Sequence, residues 1–188
     1  MDYIKVSNEI FARLTCDQRE SWAKHSKNVA AAARKIAREC GLDEQRAYAY
    51  GLLHDIGRSV TRGQFQHIKC GYELMMDQGY ADIAKICLTH SFPIQNLDSY
   101  VGKIDVTGEE EAEYRRRLQD CIYDDYDRLI QLCDAISMDT GYVCMEKKFV
   151  SSAFKYGFND YTIEKWKKTM QIREYFRRKS VNSSKNRS

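Results

Sequence analysis

The chain carries four histidines, His25, His54, His67 and His90, and each falls on the apolar stripe of a different predicted helix. A single imidazole on such a face is usually a core residue satisfied by one hydrogen bond. Four buried separately would each need a partner of their own. A shared metal ion satisfies them together, because neutral imidazole is the commonest metal ligand. Two aspartates extend the set. Asp55 directly follows His54 near a predicted helix end, where a turn lets both side chains reach one ion. Asp134 lies in the apolar run LIQLCDAIS, where a carboxylate is unfavourable unless paired or metal-bound. Arg58 sits just past the His-Asp pair and reads two ways, as a bidentate phosphate ligand or as a cation at a helix C-terminus.

A divalent ion at such a centre lowers the pKa of water, so that a nucleophile exists near neutral pH, and neutralises charge on a phosphoryl group. Mixed imidazole and carboxylate ligands suit iron, manganese, cobalt, nickel or zinc and do not choose among them. A competing set exists: His67-x-x-Cys70 and Cys87-x-x-His90 would make a closed Cys₂His₂ zinc site, leaving His25, His54, Asp55 and Asp134 unexplained. No cysteine has a context that marks an activated nucleophile, and no glycine-rich phosphate loop is present.

The elements that must position these residues are helical. The 188 residues are 43% hydrophobic and 30% charged, with one proline and 10 glycines, a scarcity of turn signals that disfavours many-stranded folds. Asp17 and Glu20 have capping-box spacing ahead of a periodic run from Trp22 to Cys40, which Gly41 stops. Asp43 caps a helix reaching Gly57, and further helices are expected over about 64–78, 81–90, 109–121, 125–138, 144–156 and 161–179. Residues 94–107 lack a helical period and read as a long loop, of the kind that forms lids or merely connects. The expectation is one all-α domain over 1–179 and a disordered tail at 180–188. Tyrosines 50, 72 and 123 are candidates to stack on a base.

No run approaches the length of a membrane span, and the charged N-terminus MDYIKVSNEI has no apolar h-region. Seven cysteines without a CxxC pair fit free thiols in a reducing compartment. A cytoplasmic protein without a membrane partner is expected. The net charge of +3 is unevenly spread, with ten acidic and four basic residues in 98–127 against two acidic and nine basic in 164–188. Such patches pair within a domain or between subunits of a homodimer, or attract nucleic acid. No RNA-binding signature supports the last, and a solvated amphipathic helix explains the basic end.

The order His25, His54-Asp55, Asp134, with GLLHDIGR around the pair and LxxLCDAIS downstream, resembles the HD superfamily of metal-dependent phosphohydrolases over about residues 20–140. The resemblance implies a single-domain helical bundle of the HD-domain type with ligands pointing inward from several helices. His25, His54, Asp55 and Asp134 would hold a first metal. His67 and His90 match the additional histidines of two-metal members, with Asp55 bridging. Arg58 stands where many members carry lysine, which keeps the charge and changes its geometry. Asp55 and Arg58 would then act in catalysis on a phosphorylated small molecule, a nucleotide by analogy with small bacterial members. The apolar surroundings of His67 and His90 favour ligation, hence two metals rather than one. A regulatory or ligand-binding module without turnover is the alternative.

Overall fold

The computed structural model describes residues 2–17 and 20–185. Helices α1 (Tyr3–Leu14), α2 (Ser21–Glu39) and α3 (Glu44–Leu53) come first, then a 3₁₀ turn at Ile56–Ser59, α4 (Gln66–Asp77) and α5 (Ala81–Thr89). A loop holding a 3₁₀ turn at Leu97–Ser99 leads to α6 (Gly108–Asp120) and α7 (Asp125–Ala135). A two-residue hairpin follows, β1 (Ser137–Met138) pairing antiparallel with β2 (Gly141–Tyr142), and then α8 (Met145–Tyr156) and α9 (Thr162–Lys185). The chain is an all-α bundle.

Helix α2 is the central strut. Trp22, Ala23, Ser26, Val29, Ala30, Ala33 and Ala37 repeat at helical spacing and are all buried. Small residues on this face let α3 approach closely. A Cβ at Gly51 would lie 2.7 Å from the Ala30 Cα, so the crossing is compatible only with glycine there. The main core gathers side chains of α1, α2, α3, α5, α7 and α9, with Tyr50, Leu53, Ile86, Ile130 and Phe176 inside. A second core, Phe65, Ile68, Leu88, Phe92, Leu97, Tyr114 and Leu118, lies under the 94–107 loop and α6. Acidic α6 is therefore not a free solvated helix. Its start carries a capping box of Thr107 and Glu110, and two large apolar side chains tie it down.

Several boundaries depart from the sequence expectation, each for a local reason. The expected cap of α2 by Asp17 does not form. Glu20 is the N-cap residue without a side-chain cap bond, and its carboxylate accepts instead from Trp22 Nε1 at 2.7 Å and Arg62 Nη1 at 2.8 Å. Helix α3 ends at Leu53, before the His-Asp pair, which occupies a turn into the 3₁₀ segment. Helix α7 stops at Ala135, and residues 137–142 form the hairpin, with Gly141 at φ 122°. Helix α9 runs on through 180–185, where a disordered tail is expected from composition. There the Ser180 and Ser184 hydroxyls bond back to the Arg177 and Ser180 carbonyls, and Ser183 Oγ stands beside Gly41. The rest of that expected tail, 186–188, lies outside the described residues. Helix α1 carries no strong sequence signal and is held by Ile10 and Phe11 in the core.

The opposite charges of the middle and end of the chain meet in part within the molecule, through Lys179 and Asp125 at 2.7 Å. No described helix is long and apolar enough to cross a membrane.

Candidate metal centre

His25 projects from α2, His54 and Asp55 from the turn after α3, His67 from the first turn of α4, His90 from the end of α5 and Asp134 from the end of α7. The rings form a chain, with centroids 5.3 Å apart for His25–His54, 5.0 Å for His54–His90 and 5.7 Å for His67–His90. Ligand atoms of His25, His54 and Asp55 lie within 4.8 Å of one another, and so do those of Asp55, His67 and His90. Asp55 belongs to both groups. Asp134 is not in either; its Oδ1 lies 3.0 Å from His25 Nε2 and 3.5 Å from Lys148 Nζ.

Backbone geometry sets the tautomers. His54 Nδ1 lies 2.7 Å from the Gly51 carbonyl and His90 Nδ1 2.8 Å from the Cys87 carbonyl, while His67 Nδ1 meets the Gln64 carbonyl. A carbonyl only accepts, so each Nδ1 carries the proton and each Nε2 presents a lone pair. Those lone pairs face carboxylate oxygen: His67 Nε2 is 3.0 Å, and His90 Nε2 3.6 Å, from Asp55 Oδ1. His54 Nε2 and Asp55 Oδ1 are buried without a hydrogen-bond partner. With the rings neutral these are acceptors facing acceptors, an arrangement that a cation between them satisfies, and the donor set of three imidazoles around one carboxylate fits a divalent ion.

Glycine makes the assembly possible. A Cβ at Gly57 would stand 1.9 Å from the His67 carbonyl oxygen and 2.6 Å from the Gly71 nitrogen. Only glycine lets the turn carrying Asp55 press against α4, which carries His67.

The electrostatics agree. Burial would raise the Asp55 carboxyl, but the Arg58 guanidinium foremost holds it well below the carboxylate range. Arg58 Nε donates to Asp55 Oδ2 at 2.8 Å, and its Nη2 lies 3.3 Å from His67 Nε2. At Asp134 burial is likewise outweighed, by Lys148 first and then His25. Burial pushes His54 down and takes His90 to about 3, so both rings stay neutral and available as ligands at neutral pH.

The competing cysteine set does not assemble. Cys87 Sγ donates to the Leu53 carbonyl at 3.3 Å, and among the described residues neither group of ligand atoms includes a thiol. The tyrosines singled out for stacking are also elsewhere. Tyr50 OH donates to Asp82 at 2.8 Å, Tyr72 accepts from Arg117 at 2.8 Å, and Tyr123 OH donates to the Phe92 carbonyl at 3.1 Å.

The centre opens into a cavity of about 740 Å³. Sequence reasoning missed most of its walls: Trp22, Tyr100, Lys148, Tyr156, Lys165 and Trp166. Tyr100 and Val101 come from the 94–107 loop, whose lack of helical period was the one available signal. The α8 and α9 residues carried no signal, because Lys and Trp at helical spacing read as an ordinary amphipathic helix.

The all-α bundle thus gathers inward imidazoles and carboxylates beside an open cavity, an arrangement able to hold a metal. The sequence profile of the HD domain matches residues 22–139, and the chain belongs to the HD superfamily, whose members are generally metal-dependent phosphohydrolases. No curated protein and no solved structure matches the chain.

Proposed function

We propose that the protein is a metal-dependent phosphohydrolase that cleaves a phosphoester or phosphoanhydride bond, with a nucleotide as substrate. One observation supports this above the others: two ligand groups share Asp55, with His54 Nε2 and Asp55 Oδ1 buried and unsatisfied. His25, His54, Asp55 and Asp134 would hold one ion, and His67 and His90 a second, with Asp55 between them. A divalent ion supplies Lewis acidity, acidifying water and offsetting phosphoryl charge.

The chain's own residues do the rest. The carbonyls of Gly51, Gln64 and Cys87 fix three rings with Nε2 inward. His25 Nε2 and Asp134 Oδ1 stand 3.0 Å apart, close enough for both to face the same ion. Arg58, ion-paired with Asp55 and lining the cavity, offers its remaining guanidinium hydrogens to phosphoryl oxygens, where charge increases in the transition state. Tyr100, Trp22 and Trp166 give the cavity apolar faces suited to a base, and its lysines suit phosphates.

The test is a hydrolysis screen of nucleoside mono-, di- and triphosphates, dinucleoside polyphosphates and cyclic dinucleotides with Mn²⁺, Co²⁺ or Fe²⁺. Turnover of one class with dependence on metal is the expected result. Silence across the panel in metal-replete protein would contradict it and leave a ligand-binding module.

A further inference from the structure

The outer wall of the cavity comes from α8 and the first turns of α9, beyond residue 139 where the HD profile ends. The Phe149 ring stacks on Trp166 at 5.1 Å with 3° between planes, which fixes the two helices against each other. Lys165, the residue before Trp166, is half-buried and lines the cavity.

The other cations of this cavity are paired or exposed: Lys155 is exposed and lies over the Tyr156 ring at 4.9 Å, and the remainder are ion-paired. Arg58 pairs with Asp55 at 2.8 Å, Arg62 with Glu20 at 2.8 Å, and Lys148 with Asp134 at 3.5 Å and the Ser137 carbonyl at 2.9 Å. Lys165 Nζ donates to the Ser99 carbonyl at 3.3 Å and has no carboxylate in contact among the described residues. Burial lowers its ammonium to about 8, against the longer-range pull of Asp134, so it is still mainly charged at neutral pH. A half-buried charge without a counter-ion is unfavourable, and an anion entering the cavity removes that penalty.

We propose that Lys165 anchors a second phosphate subsite, which takes a phosphoryl group that the metal centre does not hold. The inference rests on the phosphohydrolase reading and narrows its substrate to a nucleotide with two or more linked phosphoryl groups. Lys165 hangs from Ser99, in the loop after α5, and among the described residues makes no hydrogen bond or ion pair to a member of either ligand group. Lys165 lines the same cavity as Asp55 and Arg58 but comes from a different wall, so linked phosphoryl groups would engage both where a single group engages the metal centre.

Methylenediphosphonate, a linked pair that resists hydrolysis, and methylphosphonate, a single group, are titrated by calorimetry into metal-loaded protein, with metal content measured afterwards. The wild type should bind the linked probe more tightly. Lys165→Met, which keeps an apolar stem of similar length, should weaken that binding about tenfold or more, and Lys165→Arg should restore most of it. Metal content should be equal in all three. Wild-type indifference between the probes, or unchanged affinity in Lys165→Met, overturns the subsite. The two readings fail separately. Lysine-dependent binding without wild-type turnover of any phosphate ester keeps the subsite and refutes the hydrolase. Turnover with unchanged Lys165→Met affinity refutes the subsite alone.

Discussion

His67 Nε2 lies 3.0 Å from Asp55 Oδ1, although the proton of that ring is committed through Nδ1 to the Gln64 carbonyl. Two acceptors this close repel unless a cation bridges them. The same opposition recurs at His90, and among the described residues Arg58, with Nη2 3.3 Å from His67 Nε2, brings positive charge to this point.

Removing Arg58 therefore tests catalysis separately from metal binding. Arg58→Met should keep the ligand groups and lower kcat about 100-fold, the scale of losing one donor to developing charge. Arg58→Lys should recover part of it, since it returns the charge without the planar fork. Metal content that falls with kcat in Arg58→Met would instead make Arg58 a support of the ligand set.

Gly57→Ala should be among the most damaging substitutions available. Its Cβ would meet the His67 carbonyl oxygen at 1.9 Å, so the turn and α4 must separate. The expected loss is about 3 kcal/mol or more by urea unfolding, at the upper end for overpacking. A wild-type midpoint would mean that the turn and α4 are not in contact.

Much of this centre was legible in the sequence. The six ligand candidates could be read because polar residues on apolar stripes conflict with burial, and the structure brings five of them into two groups with Asp134 beside His25. The α-helical class followed from the scarcity of Pro and Gly and from helical periodicity. What could not be read depends on distant contacts. The break of α3 at Leu53 follows from how the turn docks on α4, and no local propensity marks it. Lys165 joins the cavity only because α9 packs back across it, and its neighbours in sequence look like any exposed helix.

The metal-free protein should lose stability on mild acidification. Burial foremost takes His90 to about 3 in the folded state and lowers His54 in the same direction. Unfolded imidazoles titrate near about 6.5. Below that value the unfolded chain binds protons that the folded chain refuses, so this contribution to stability is present above about pH 6.5 and is lost as pH falls toward about 3. Asp55, held well below its usual range, adds a loss of the same sign at lower pH. Urea midpoints measured between about pH 7 and pH 4.5 should decline, and His90→Gln should flatten the decline. A wild-type midpoint independent of pH in that window would show that the imidazoles are not buried neutral.

The most direct test of the centre is a metal count on purified, metal-replete protein. Asp55 is common to both ligand groups, so Asp55→Ala should lose essentially all bound transition metal. His67→Ala and His90→Ala should each lose about one ion per chain and keep the other, since His25, His54 and Asp55 remain. Metal content in Asp55→Ala equal to that of the wild type would contradict the shared centre outright.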